Sequence, residues 1–197
     1  LPKKEPLGRF MTLKGGDGSV WLADGDSRHY MSSGQLLYAW GYYPGITNTV
    51  SPYFFSRYIE KRDIRQYATA DGTKTWAIDA STKRPFKDKA TQDAYVGQIA
   101  PTRVRQQTLN LLQDGSSLTI FAVNSGTRQW FMIDNGKKHY IPQGELAALW
   151  GKPDSEPLTS LTDNFMSFLT AGPSISYTAQ SSSNSTYWLI AKNKHPI

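Results

Sequence analysis

Three aspartates and three histidines stand at matched distances along the chain. Asp24, Asp79 and Asp134 each close an aromatic-led tetrad: Trp21-Leu22-Ala23-Asp24, Trp76-Ala77-Ile78-Asp79 and Phe131-Met132-Ile133-Asp134. His29 and His139 follow their aspartates by five residues, Arg84 takes the same place in the second copy, and His195 follows Trp188-Leu189-Ile190-Ala191 one residue early. Carboxylates beside imidazoles are the raw material of general acid–base catalysis and of metal binding. The spacing speaks against both. A glycan-cleaving pair needs two carboxylates in different environments, one an acid and one a base, whereas repetition supplies one environment three times. Each aspartate sits where a strand enters a turn, a place where Asp accepts backbone amides. The histidines lie in separate copies and Arg84 interrupts the set, so no metal or other cofactor is expected.

The leading aromatics are 55, 55 and 57 residues apart, which marks a repeat protein whose surfaces recur. The copies run 9–64, 65–118 and 119–175, with a closing half-copy at 176–197 and a tail or linker at 1–8. Each opens with a short strand (Arg9 to Leu13, Arg65 to Thr69, Thr119 to Val123), turns at a Gly/Asp/Asn cluster, and continues through the aromatic strand into a basic strand. The period then changes. Gly34 to Gly41 and Gly144 to Gly151 read as short helices ended by glycine, with Lys89 to Gly97 a weaker version that lacks the helix-ending Trp. Second helices follow at Ser51 to Ile59, with Ser51 capping and Pro52 at the first position, at Gln106 to Leu112 and at Thr162 to Leu169. The fold class expected is α+β: tandem three-stranded antiparallel meanders, each followed by two short helices, closing with a half-repeat of strands. Neighbouring copies must pack together, because so small a unit buries little surface alone.

Composition narrows the function classes. The 197 residues carry a net charge of +6 and no cysteine, so disulfides and cysteine zinc sites are excluded. The charge draws polyanions, but no block of five basic residues and no motif supports nucleic acid as the partner. No apolar run approaches a membrane span. There is no Gly-rich phosphate loop, His-Glu-x-x-His or Gly-x-Ser-x-Gly. The chain opens at Leu1 without Met, as after removal of a signal segment or excision from a longer protein.

The candidate binding surface is the edge where cations adjoin aromatics on corresponding strands: Arg28, His29 and Tyr30, Arg84 beside Lys83, and Lys138, His139 and Tyr140. Tyr42 and Tyr43 beyond the first helix are further candidates. Several weak copies of such an edge would sum over a polymeric ligand.

The run Phe131-Met132-Ile133-Asp134-Asn135-Gly136-Lys137-Lys138-His139-Tyr140-Ile141-Pro142, and more loosely Trp21 to Met31, resembles a short repeat of exported Gram-positive proteins. Such repeats accompany cell-wall hydrolases or stand alone on the cell surface, and they bring no catalytic residues. The resemblance implies a secreted or surface-attached, non-catalytic module for a cell-wall glycan or anionic surface polymer. A secreted glycan or peptidoglycan hydrolase, and a module that binds or inhibits a partner protein, are the alternatives.

Overall fold

A computed structural model describes residues 9–180, 186–190 and 193–196. Residues 1–8, expected from sequence as a tail or linker, and residues 181–185, 191, 192 and 197 lie outside the described residues.

The first copy runs β1 (Phe10–Leu13), β2 (Val20–Asp24), β3 (Ser27–Tyr30), α1 (Gly34–Ala39), β4 (Thr47–Val50), α2 (Pro52–Phe55) and β5 (Ile59–Glu60). The second supplies β6 (Tyr67–Thr69), β7 (Thr75–Asp79), β8 (Thr82–Pro85), α3 (Lys89–Val96), β9 (Thr102–Arg103), α4 (Gln106–Leu109) and β10 (Gln113–Asp114). The third supplies β11 (Phe121–Asn124), β12 (Trp130–Asp134), β13 (Lys137–Ile141), α5 (Gly144–Leu149), β14 (Thr159–Leu161), α6 (Asp163–Ser167) and β15 (Thr170–Ala171). Strands β16 (Thr178–Gln180), β17 (Thr186–Ile190) and β18 (Asn193–Pro196) form a closing antiparallel sheet.

The expected architecture of a meander followed by helix pairs does not hold. Each copy builds a five-stranded mixed sheet, ordered β4-β1-β2-β3-β5 in the first, and the helices are one or two turns long. The protein is mostly β. The reason lies at the meander's edges, where β1 and β3 would leave unpaired backbone groups. A segment that reads as a connector and the end of the segment expected as the second helix are both extended and pair parallel to those edges, Phe10 with Thr47 on one side and Ser27 with Ile59 on the other. Their sequences, Thr-Asn-Thr-Val and Ile-Glu, are too short or too polar to show a strand's alternation.

The chain divides into two compact units, Leu1–Pro85 with Ile99–Gly115, and Phe86–Gln98 with Ser116–Ile197. Within each unit, a copy's first helix seats on the sheet of the copy that follows. In the first unit the amide of Ser81, in the β7–β8 turn, donates to Ala39 at the end of α1. Fully buried Trp40 donates its indole N–H to the carbonyl of Arg65 at 3.0 Å. In the second unit the same contacts recur 55 residues on: Gly136 donates to Ala94, and the hydroxyl of buried Tyr95 donates to the carbonyl of Thr119 at 2.9 Å. Trp150 repeats the bond to Ser176 at 2.9 Å. The aromatic that ends each first helix therefore holds the opening residue of the next copy. Tyr95 fills this place, so the second copy keeps the device although it lacks a Trp.

Each unit buries its own core. Phe10, Leu22, Trp40, Tyr67 and Ile78 are inaccessible in the first; Tyr95, Phe121, Ile133 and Phe165 are so in the second. Gly41 ends α1 with φ of +81°, and a Cβ there would collide with the Ser81 hydroxyl and the Arg9 guanidinium. Gly151 ends α5 with φ of +96° and open space around it. Gly151→Ala is expected to cost only the roughly 1–2 kcal/mol of a left-handed residue. Gly41→Ala adds the collision and is expected to cost clearly more, as read from paired urea unfolding curves.

Candidate functional site

The strand-edge cations proposed from sequence are in large part engaged inside the protein. Arg28 donates from Nη1 to the carbonyls of Phe55 and Tyr58, at 2.7 and 2.8 Å, and from Nη2 to Glu60 at 2.9 Å. Its guanidinium also lies 4.1 Å from the Phe55 ring centre. At the matching position Lys83 donates to Leu112 at 3.1 Å and pairs with Asp114 at 2.8 Å, and Lys138 donates to Met166 at 2.8 Å. The carbonyls that end a helix have no partner within it, and a cation satisfies them. Arg28 and Lys138 thus close the second helices of their copies, and Lys83 holds the turn that follows α4.

The aspartate position does different work from the one its spacing suggests. Asp24 is 4 % exposed and does not fold back onto its own turn. Its carboxylate accepts the Arg105 amide at 2.9 and 3.1 Å and the Thr108 hydroxyl, at the start of α4 in the following copy. That helix start has no side-chain cap of its own. His29, 1 % exposed, has Nε2 3.4 Å from Asp24 and Nδ1 2.6 Å from the carbonyl of Arg62. A carbonyl only accepts, so Nδ1 carries a proton. Burial by itself drives the Asp24 carboxyl upward, but His29, Thr108 and the Arg105 amide together hold it below the usual carboxylate range.

The other copies vary this theme. Half-buried Arg84 places Nε 3.6 Å from buried Asp79, a permanent cation where the first copy has His29. His139 approaches the carbonyl of Pro173 at 2.8 Å through Nδ1, while Asp134 is exposed. Tyr30 packs on Trp21 and Tyr140 on Phe131, with ring centres 5.2 and 5.9 Å apart. Tyr42 sets its ring edge against Phe10 and accepts a bond from Thr47. Tyr43 is 63 % exposed, so it alone of the aromatic candidates presents most of its surface.

A second group of cations surrounds a cleft of about 560 Å³ within the first unit. Lys61, Arg62, Arg103 and Arg105 line it, with Ser27, Asp24 and His29 also in its wall. Lys61 and Arg62 are exposed and have no side-chain partner among the described residues. Arg103 donates from Nε to Ala70 at 3.3 Å, and Arg105 pairs with Asp26 at 2.5 Å. The Arg105 guanidinium lies over Gly25, where φ is +66° and any Cβ would displace it. Sequence reasoning missed these four because they fall in segments read as connectors. The Lys61-Arg62 and Arg103-Val104-Arg105 pairs were the available signal. Among the described residues no group of His, Cys, Asp or Glu gathers to hold a metal ion.

No family model matches the sequence, and no curated protein does. One solved structure with some likeness is the periplasmic assembly of the ESX-5 inner membrane complex. It is 8% identical over 86% of this chain and 68% of the other, with a TM-score of 0.25. At that score the likeness carries no argument about fold or function. No helix among the described residues is long and apolar enough to cross a membrane.

A carboxyl held low in the folded state contributes stability that is complete above its unfolded value, near 3.9, and is lost as pH falls through the lower folded value. Wild type is therefore expected to exceed Asp24→Asn in unfolding temperature at pH 6. The gap should shrink as pH drops below about 4. Scanning calorimetry of the two proteins across that window checks it.

Proposed function

We propose that this chain is an exported, non-catalytic binding module that attaches to anionic polymers of a cell wall or cell surface. The observation that carries the reading is the division of labour among its cations. Arg28, Lys83 and Lys138 are consumed by backbone carbonyls at or just after the second helices, whereas Lys61, Arg62 and Arg103 stand around an open cleft. The net charge of +6 acts in the same direction at longer range. The resemblance of the third copy to repeats of exported surface proteins supports the location.

The groups that suggested catalysis are committed elsewhere. A general base needs a free lone pair within reach of substrate. Both nitrogens of His29 face acceptors, and both oxygens of Asp24 hold the following helix. The hydrolase reading thus loses its most plausible dyad.

Sedimentation with purified cell walls tests the proposal. The bound fraction is expected to fall steeply between about 0.1 and about 1 M salt, as the Debye length shortens from roughly 10 to roughly 3 Å. Binding that is unchanged across that range, or release of soluble wall fragments by the pure protein, would overturn it.

A further inference from the structure

We propose that the cleft lined by Lys61, Arg62, Arg103 and Arg105 is a site for a multiply charged phosphate-type oxyanion, such as two neighbouring phosphate groups of a surface polymer. This deepens the reading of an anionic-polymer module by naming its ligand chemistry and the place that receives it.

Charge is the first ground. Of the four lining cations, Arg105 is compensated by Asp26, and Asp24 is occupied by His29, the Arg105 amide and Thr108. Lys61, Arg62 and the outer nitrogens of Arg103 keep uncompensated charge around one cavity. A single carboxylate balances only one of them, whereas paired phosphates supply two or more negative charges and several acceptor oxygens. Guanidinium forks match the paired oxygens of phosphate, and an ammonium adds a point charge.

Preorganisation is the second ground. The Arg62 backbone is fixed by His29, whose Nδ1–H reaches the Arg62 carbonyl at 2.6 Å. Arg103 is held in β9 by its pairing with β6 and by the bond from Val104 to Thr69 at 2.9 Å. The neighbouring Thr102 hydroxyl donates to the backbone carbonyl of Asp63 at 3.0 Å, tying the Arg103 wall to the Arg62 wall. Holding like charges together on a fixed frame costs stability that an anion restores, and a frame set beforehand lowers the entropy lost on binding. The walls come from both the first and the second copy, so the site exists only where consecutive copies meet.

Calorimetric titration with inorganic tripolyphosphate at low salt tests this. The wild-type chain is expected to bind it, and the Lys61→Ala/Arg62→Ala variant to bind about tenfold or more weakly through loss of charge-assisted bonds. A control variant, Lys14→Ala/Lys74→Ala, removes the same charge from exposed positions that do not line the cleft and is expected to bind as wild type. Equal weakening in both variants would reduce the effect to net charge and overturn the site. Full binding by the cleft variant, or none by wild type, would overturn it as well. Oligogalacturonate of equal charge binding as tightly would overturn the phosphate class. Circular dichroism of each variant checks that the fold is kept. The two readings separate in a wall-sedimentation arm. Wild type that pellets with walls but ignores tripolyphosphate loses the cleft and keeps the polymer reading. Wild type that takes tripolyphosphate through the cleft yet never pellets keeps the site and loses the polymer reading.

Discussion

The joint between the first two copies depends on one buried carboxylate contact, that of Asp24 with the start of a helix 81 residues further along the chain. Helices of four residues do not persist in water, because nucleation consumes more order than so few bonds return. Helix α4 begins at Arg105 without a local cap and receives one from the preceding copy. The reverse contact runs beside it, since α1 of the first copy ends against the β7–β8 turn of the second. The first two copies thus each supply what the other lacks. That reciprocity is the general condition of repeat folding, in which the unit is incomplete and the interface is the stabilising element.

The proposed cleft lies beside the same contact. Arg105 before α4 and Arg103 in β9 face the same cleft as Lys61 and Arg62, beside the Asp24 contact. The residues that resemble a catalytic dyad, Asp24 and His29, form the floor of that joint. They are 4 % and 1 % exposed, and their polar atoms are engaged with Arg62, Arg105 and Thr108.

Sequence reading recovered the period and missed much of what the period does. The aromatic, the aspartate and the basic strand were legible because strands β2, β7 and β12 repeat in type and spacing. The parallel edge strands were not, since Ile59–Glu60 and Gln113–Asp114 are two residues long and take their shape from the strand they pair with. The role of Asp24 was invisible for a related reason. A side chain bound 81 residues away leaves no local pattern, and a turn-forming aspartate has the same neighbours. Tyr95 shows the opposite case: its distance of 55 residues from both Trp40 and Trp150 marks it as their equivalent, and the change from indole to phenol concealed it. The cleft cations went unread because the sequence shows charge and not which charges find partners, and Arg28 and Arg62 differ only in that.

Amide hydrogen exchange at Arg105 measures the contact on which the rest stands. If the Asp24 carboxylate holds that amide as part of the packed joint, Arg105 exchanges as slowly as the sheet amides of β2 and β7, through the same unfolding event. In Asp24→Ala it should exchange rapidly while the β2 amides stay protected. Rapid exchange at Arg105 in the wild-type chain would contradict the joint between copies directly.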